Sequence, residues 1–189
     1  MAPQGHSQQP DDPCPGVSRR DATRWLAFAI AGLSATDLAG QRAPAAGADR
    51  KGPAPVTFLD AASLRRAIRG APEETPGQPG LYSRLLAGPG DYPVIGIRRT
   101  APTRSERHAD FTDVWYVLEG SATLVTGGTI VGGVGTGPGE TRGRTIAGGD
   151  RRAIRPGDFA VIPAGTPHWI SQVGAGDLLY LVVKVPLPK

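Results

Sequence analysis

The C-terminal part of the chain alternates short apolar runs with turn residues. The runs are rich in β-branched and aromatic side chains, and Gly, Pro or Asp bounds each of them. This pattern predicts short strands joined by turns. Such strands favour a closed barrel or a sandwich, because closure removes exposed strand edges. The predicted strands are 94–97, 114–118, 122–125, 159–162 and 178–183.

A different pattern precedes the strands. Residues 57–70 place apolar side chains at a helical spacing, with Asp60 or Ser63 as the N-cap and Gly70 as the stop, which predicts one amphipathic helix. The glycine-dense segment 127–149 interrupts the strands and is too long for a simple hairpin turn. We therefore expect a loop or a flap there.

The first part of the chain resembles an export signal. A polar, proline-rich segment and the pair Arg19-Arg20 precede a short apolar run at 25–33, and small residues follow at 43–45. That run is too short to cross a bilayer, which takes roughly 20 residues, and the arrangement is typical of a twin-arginine or Sec-type signal peptide. The alternative is a disordered leader followed by a short helix.

These patterns predict the organisation of the chain and its location. We expect a periplasmic or secreted protein with no membrane contact after export, or a cytoplasmic one if the signal is not real. The lone cysteine, Cys14, would be removed with the signal, so the exported chain would have no thiol chemistry. The predicted segments are a signal peptide at 1–45, a linker at 46–56, a helix and loop at 57–89, and a barrel at 90–189.

Composition and charge narrow the class of partner. An apolar share of 39% and a charged share of 20% over 189 residues indicate one ordinary globular domain with an extra segment. The formal net charge is +4, but the arginines are scattered along the chain. A nucleic-acid site needs a contiguous basic face, with aromatic platforms where single strands bind. We therefore expect no nucleic-acid partner.

The segment 155–169 (RPGDFAVIPAGTPHW) joins a turn, a four-residue apolar strand and a second turn to a histidine that enters the next strand. It resembles the second sequence motif of the cupin superfamily. In that motif a Gly and a Pro bracket a strand, and a histidine follows the next Gly. The matching positions are Gly157, Pro163, Gly165 and His168.

The segment 106–120 (ERHADFTDVWYVLEG) resembles the first cupin motif, in which two histidines two apart precede a glutamate and then a Gly. His108 takes the first histidine position, Asp110 replaces the second, and Asp113 takes the glutamate position at its usual distance from Gly120. The resemblance extends over about 90–186. It implies an all-β fold: a single cupin barrel (a double-stranded β-helix, or jelly roll) with a short N-terminal helix, as in small bacterial type-2 cupins.

Two imidazoles with carboxylates suit Fe(II), Mn(II), Ni(II) or Zn(II) and leave positions open for a ligand. His108 and Asp110 share a strand face if the strand continues through both, while Asp113 and His168 would converge from elsewhere. Each also has a structural alternative: packing for His168, solvent exposure for His108 and Asp110, and turn capping for Asp113. The predicted metal ligands are His108, Asp110, Asp113 and His168.

We expect the predicted ligands to line a central pocket of the barrel that binds a metal and a small organic ligand. Trp115 shares its strand parity with Asp113, so we expect its indole to face that pocket. It either provides a stacking wall for a ligand or fills the core.

Two function classes follow from the resemblance. One is a metal-dependent dioxygenase or isomerase acting on a small organic substrate. The alternative is a non-catalytic module that binds or senses a small molecule without metal. Cupins often pair through their outer sheets, so a homodimer is a further expectation.

Overall fold

A computed structural model of the chain describes residues 56–71, 74–88 and 92–188. The predicted signal peptide, Cys14 and all of the predicted linker but its last residue lie outside these ranges. Within them, no helix combines the length and the apolar character that crossing a membrane would need.

The described residues form one helix followed by thirteen strands. The helix α1 spans Ala61–Arg69. The strands are β1 Leu81–Ala87, β2 Val94–Arg99, β3 Ser105–His108, β4 Phe111–Glu119, β5 Ala122–Thr126, β6 Thr129–Val131, β7 Val134–Gly137, β8 Glu140–Gly143, β9 Thr145–Ala147, β10 Asp150–Ile154, β11 Phe159–Ile162, β12 His168–Val173 and β13 Leu178–Pro186.

Two large antiparallel sheets build the barrel. One has the strand order β1-β2-β13-β4-β11 and the other the order β10-β5-β12-β3-β8-β7, with β6 and β9 as a separate pair. Side chains from both sheets, among them Trp115 of the first and Ile170 of the second, share one buried core. The predicted fold class is confirmed: an all-β, double-stranded β-helix barrel with a short N-terminal helix.

Strand β4 shows how the alternation of the sequence becomes an inside and an outside. Asp113, Trp115 and Val117 are buried at 3%, 2% and 3% exposure, whereas Tyr116 between them is 44% exposed. Successive side chains of a strand point to opposite faces, so this row enters the barrel. The carboxylate of Asp113 therefore points into the barrel, on the same face of β4 as the core side chains of Trp115 and Val117.

The helix α1 is capped and packed as its sequence predicts. The carboxylate of Asp60 accepts hydrogen bonds from the backbone N–H groups of Ala62 and Ser63, at 3.0 and 2.9 Å. Ile68 is fully buried and lies against Gly96 of β2, where an added Cβ would overlap its side chain. The helix therefore covers the outside of the five-stranded sheet.

Two segments differ from the sequence expectation. Strand β1 was not predicted, because Ser83 and Arg84 interrupt its apolar pattern. It pairs with β2 along its length, so the sheet begins before residue 90. The glycine-dense segment 127–149 is not a loop: it folds into the short strands β6 to β9. Pairing with neighbouring strands supplies the order that its sequence pattern does not indicate.

Candidate metal centre

Three buried side chains meet inside the barrel. Glu106 and His108 are alternate residues of β3, and His168 is the first residue of β12, directly opposite Glu106 in the strand pairing. One ligand atom from each lies within 4.8 Å of the others. Because β3 and β12 are antiparallel neighbours, their register alone brings the three side chains together.

Asp113 enters the same space from the five-stranded sheet. Its Oδ2 lies 3.6 Å from Nε2 of His108 and 3.7 Å from Nε2 of His168. His168 Nε2 is also 3.5 Å from Oε1 of Glu106. Metal bonds to nitrogen and oxygen of about 2.1 Å place tetrahedral ligands about 3.4 Å apart. These spacings therefore match the edges of a small coordination polyhedron.

Both imidazoles make their hydrogen bonds through Nδ1, which leaves each Nε2 available to a metal. Nδ1 of His168 lies 3.1 Å from the carbonyl oxygen of Thr166, and Nδ1 of His108 lies 2.8 and 2.7 Å from the two oxygens of Glu140. Carbonyl and carboxylate oxygens only accept, so each neutral ring carries its proton on Nδ1. Nε2 of His168 is buried and has no hydrogen-bond partner among the described residues.

That unpartnered nitrogen is the feature that best fits a metal. A buried polar atom without a partner is costly, and a neutral imidazole nitrogen is a preferred ligand of divalent transition metals. Together with a second bare Nε2 and a carboxylate, it forms the donor set that Fe, Mn, Ni and Zn accept. The residues present therefore fit a divalent metal.

Arginine side chains hold Glu106 in its charged form. Oε2 of Glu106 lies 2.6 Å from Arg142 and Oε1 lies 3.6 Å from the buried guanidinium of Arg99. Burial by itself raises the pKa of Glu106, but the positive charge of Arg142 and the other neighbouring charges outweigh it and hold that pKa well below the ordinary value of 4.5. The carboxylate is ionised at neutral pH.

Asp113 also pairs with a cation. Its Oδ1 accepts a hydrogen bond from Nζ of Lys184 at 2.8 Å, while its Oδ2 faces the imidazoles and accepts a long contact of 3.4 Å from the indole N–H of Trp115. Lys184 stands directly across from Asp113, on β13. One oxygen is thus neutralised by a cation, and the other stays available to the cluster.

Aromatic side chains close the inner side of the site. The ring of Trp115 lies edge-on to His168, with centroids 5.6 Å apart, and 4.8 Å from the ring of Tyr180. The hydroxyl of Tyr180 accepts a hydrogen bond of 2.7 Å from Nε of Arg99. Burial raises the pKa of Tyr180 to about 12, so its hydroxyl keeps its proton at neutral pH. Trp115 both belongs to the apolar core and borders the cluster.

The structure brings three of the four predicted ligands together and leaves the fourth outside. Asp110 is exposed. Its Oδ2 lies beside Gly139, 2.5 Å from the position that a Cβ on that glycine would occupy. The reason is that β3 ends at His108, so the alternation of inward residues does not continue to Asp110. The inward-facing residue two positions from His108 on β3 is Glu106, on the other side. The sequence analysis did not predict Glu106 as a ligand, although the two-residue spacing of a strand applies to it as well.

Comparison with known proteins finds structural likeness only. No protein-family model matches the chain, and no curated protein matches it. Similar solved structures include KdgF from Halomonas sp. (18% identity, TM-score 0.43, covering 58% of this chain and 83% of that one) and TT1209 from Thermus thermophilus (21%, 0.48, 70% and 100%). A conserved protein with a double-stranded β-helix domain from Klebsiella pneumoniae is also similar (16%, 0.45, 63% and 86%).

At these identities and TM-scores the likeness carries no argument about activity. The fold and the site rest on the strand order and the buried side chains. They establish a barrel of the cupin type that encloses a buried Glu/His/His cluster able to hold a metal ion.

Proposed function

We propose that the barrel binds one divalent metal ion through Glu106, His108 and His168, with an oxygen of Asp113 as the fourth donor. The observation that carries this proposal is the buried, unpartnered Nε2 of His168, which lies 3.5 and 3.7 Å from two carboxylate oxygens. The proposed activity is the metal-dependent conversion of a small organic substrate, by oxygen-dependent oxidation or by isomerisation. The metal would supply a Lewis acid with open coordination positions.

The chain's own residues set the conditions for that chemistry. His108, Asp113 and His168 are buried at 6%, 3% and 2% side-chain exposure, which keeps water from the imidazole nitrogens. Lys184 and Arg142, each about one-fifth exposed, pair with Asp113 and Glu106. A metal dication added to this charge-balanced set would leave net positive charge, which favours a substrate that carries a carboxylate or another anionic oxygen.

A second candidate function is binding of a small molecule without metal or turnover. The observation that favours it is the charge balance around the cluster. Arg99 and Arg142 face Glu106, and Lys184 pairs with Asp113, so both carboxylates are neutralised without a dication. A melting-temperature increase with a small anion, and no change in that anion's mass after long incubation, would favour this candidate.

Metal analysis of the native protein and of four variants separates the two candidates. We expect about one equivalent of metal per chain in the wild type, and loss of most of it in H168A, E106Q and D113N. The control is D110N, which removes a nearby exposed carboxylate and should retain the metal. If the wild type holds no stoichiometric metal after separate loading with Fe(II), Mn(II), Ni(II) and Zn(II), the metal-dependent function is wrong.

Location and assembly remain proposals that rest on the sequence. The pattern of the first 45 residues supports export, which N-terminal sequencing of the protein from a periplasmic fraction would test. The cupin resemblance supports a homodimer, which light scattering on the purified chain would test.

A further inference from the structure

The glycine-dense segment delivers two charged side chains to the cluster. Its strand β8 pairs with β3 so that Arg142 stands directly across from Glu106 and Glu140 directly across from His108. Glu140 and Arg142 are alternate residues, so both point to the same face of the sheet. Each therefore faces one of the two metal-ligand candidates on β3.

Glu140 makes a close, two-oxygen contact with His108. Both of its carboxylate oxygens lie within hydrogen-bond distance of Nδ1, at 2.8 and 2.7 Å. The side chain of Glu140 is 30% exposed, whereas that of His108 is 6% exposed. The contact thus reaches from the surface of the barrel to the buried ring of a metal-ligand candidate.

A second carboxylate competes for the same imidazole proton. Oδ2 of Asp113 lies 3.6 Å from Nε2 of His108, and a neutral imidazole carries only one proton, on either nitrogen. If that proton sat on Nε2, it would point at Asp113 and occupy the atom that the metal needs. The contact to Glu140 is shorter by almost one ångström, and Asp113 is already neutralised by Lys184.

We infer that Glu140 is a positioning residue, which keeps the His108 proton on Nδ1 and so leaves Nε2 bare toward the cluster. Carboxylate partners of this kind orient a metal-binding imidazole and increase its basicity. The part of this inference that concerns metal affinity rests on the proposed function. The part that concerns the proton does not, because it holds for the metal-free protein.

Imidazole nitrogen chemical shifts in metal-free, ¹⁵N-labelled protein test the proton position directly. At a pH where the ring is neutral, we expect the wild type to carry the His108 proton on Nδ1. We expect E140A to move it largely to Nε2, toward Asp113. D110N, which removes a charge beside the same hairpin without touching His108, should leave it on Nδ1. Should E140A fail to fold, E140M keeps the side-chain length without a carboxylate and gives the same readout.

Metal affinity provides the second readout. We expect E140A to bind Zn(II) or Co(II) about 10- to 100-fold more weakly than the wild type, and D110N to bind equally well. A proton that stays on Nδ1 in E140A, or a loss in D110N as large as in E140A, would overturn the inference. A wild type that binds no metal would refute the proposed function, while the nitrogen shifts would still decide the role of Glu140.

Discussion

The charge of Glu106 depends on its neighbours more than on its own chemistry. Inside a barrel, a carboxylate without partners would take up a proton, because burial penalises the charged form. The positive charge of Arg142, at 2.6 Å, together with the contacts to His168 and His108, reverses that preference. If Glu106 were neutral, the buried guanidinium of Arg99 and the guanidinium of Arg142, about one-fifth exposed, would lose their carboxylate partner.

This dependence predicts how stability changes with pH. The pKa of Glu106 is depressed in the folded state, so its contribution to stability is present above the ordinary value of 4.5 and is lost as the pH falls below it. In metal-free protein near neutral pH, we expect the free energy of unfolding of E106Q to be about 3 kcal/mol lower than that of the wild type. That difference should shrink as the pH decreases below 4.5.

Urea titrations over a pH series measure this difference. D110N is the matched control, because Asp110 is exposed and its replacement should cost little at any pH. A difference between wild type and E106Q that does not change with pH would contradict the assignment of a depressed pKa to Glu106.

At the scale of elements, strand β8 connects packing to the site. Gly143 ends β8 opposite Ser105 of β3, and it is buried. A Cβ there would overlap the side chain of Ile130 and approach the carbonyl oxygen of Val131 to 2.8 Å. Glycine at this position lets β8 pack closely against β6 while Glu140 and Arg142 pair with β3.

We therefore expect G143A to lower the free energy of unfolding by about 1–3 kcal/mol, because the added methyl group overpacks the interior. Since the strand must shift, G143A should also weaken metal binding. The control is G135A on the neighbouring strand β7, where the nearest atom to an added Cβ is 4.0 Å away. Equal effects of the two substitutions on urea midpoint and metal affinity would show that β8 packing does not support the site.

For the whole molecule, the cluster joins the two sheets of the barrel. Glu106, His108 and His168 belong to the six-stranded sheet, and Asp113 belongs to the five-stranded one. A bound metal would thus bridge the sheets and bind only the folded chain, which stabilises that chain by mass action.

We expect metal at roughly 100 times its dissociation constant to add about 2.7 kcal/mol to the free energy of unfolding. Thermal melts with and without metal would show a higher midpoint for the wild type and for D110N, but not for H168A. An equal increase in H168A would place the metal elsewhere on the chain.

Much of this architecture could be predicted from the sequence. The alternation of 114–118, the turn residues around 159–162 and the helical spacing of 57–70 are local patterns, and each reflects which side of one element is buried. The same local information identified His168, because the turns that precede it determine where its strand begins. Asp113 followed from the resemblance of 106–120 to the first cupin motif, and Trp115 from its strand parity with Asp113.

Tertiary structure decided the rest, because pairing between distant strands depends on register and on where each strand ends. Strand β3 ends at His108, so Glu106 lies in the buried cluster and Asp110 lies outside it. The pairing of β8 with β3 turns a glycine-rich segment into the source of Glu140 and Arg142. The sequence by itself determined the barrel, two histidines and one carboxylate. Only the folded chain decided which other charges meet them, since a local pattern does not show what lies on the neighbouring strand.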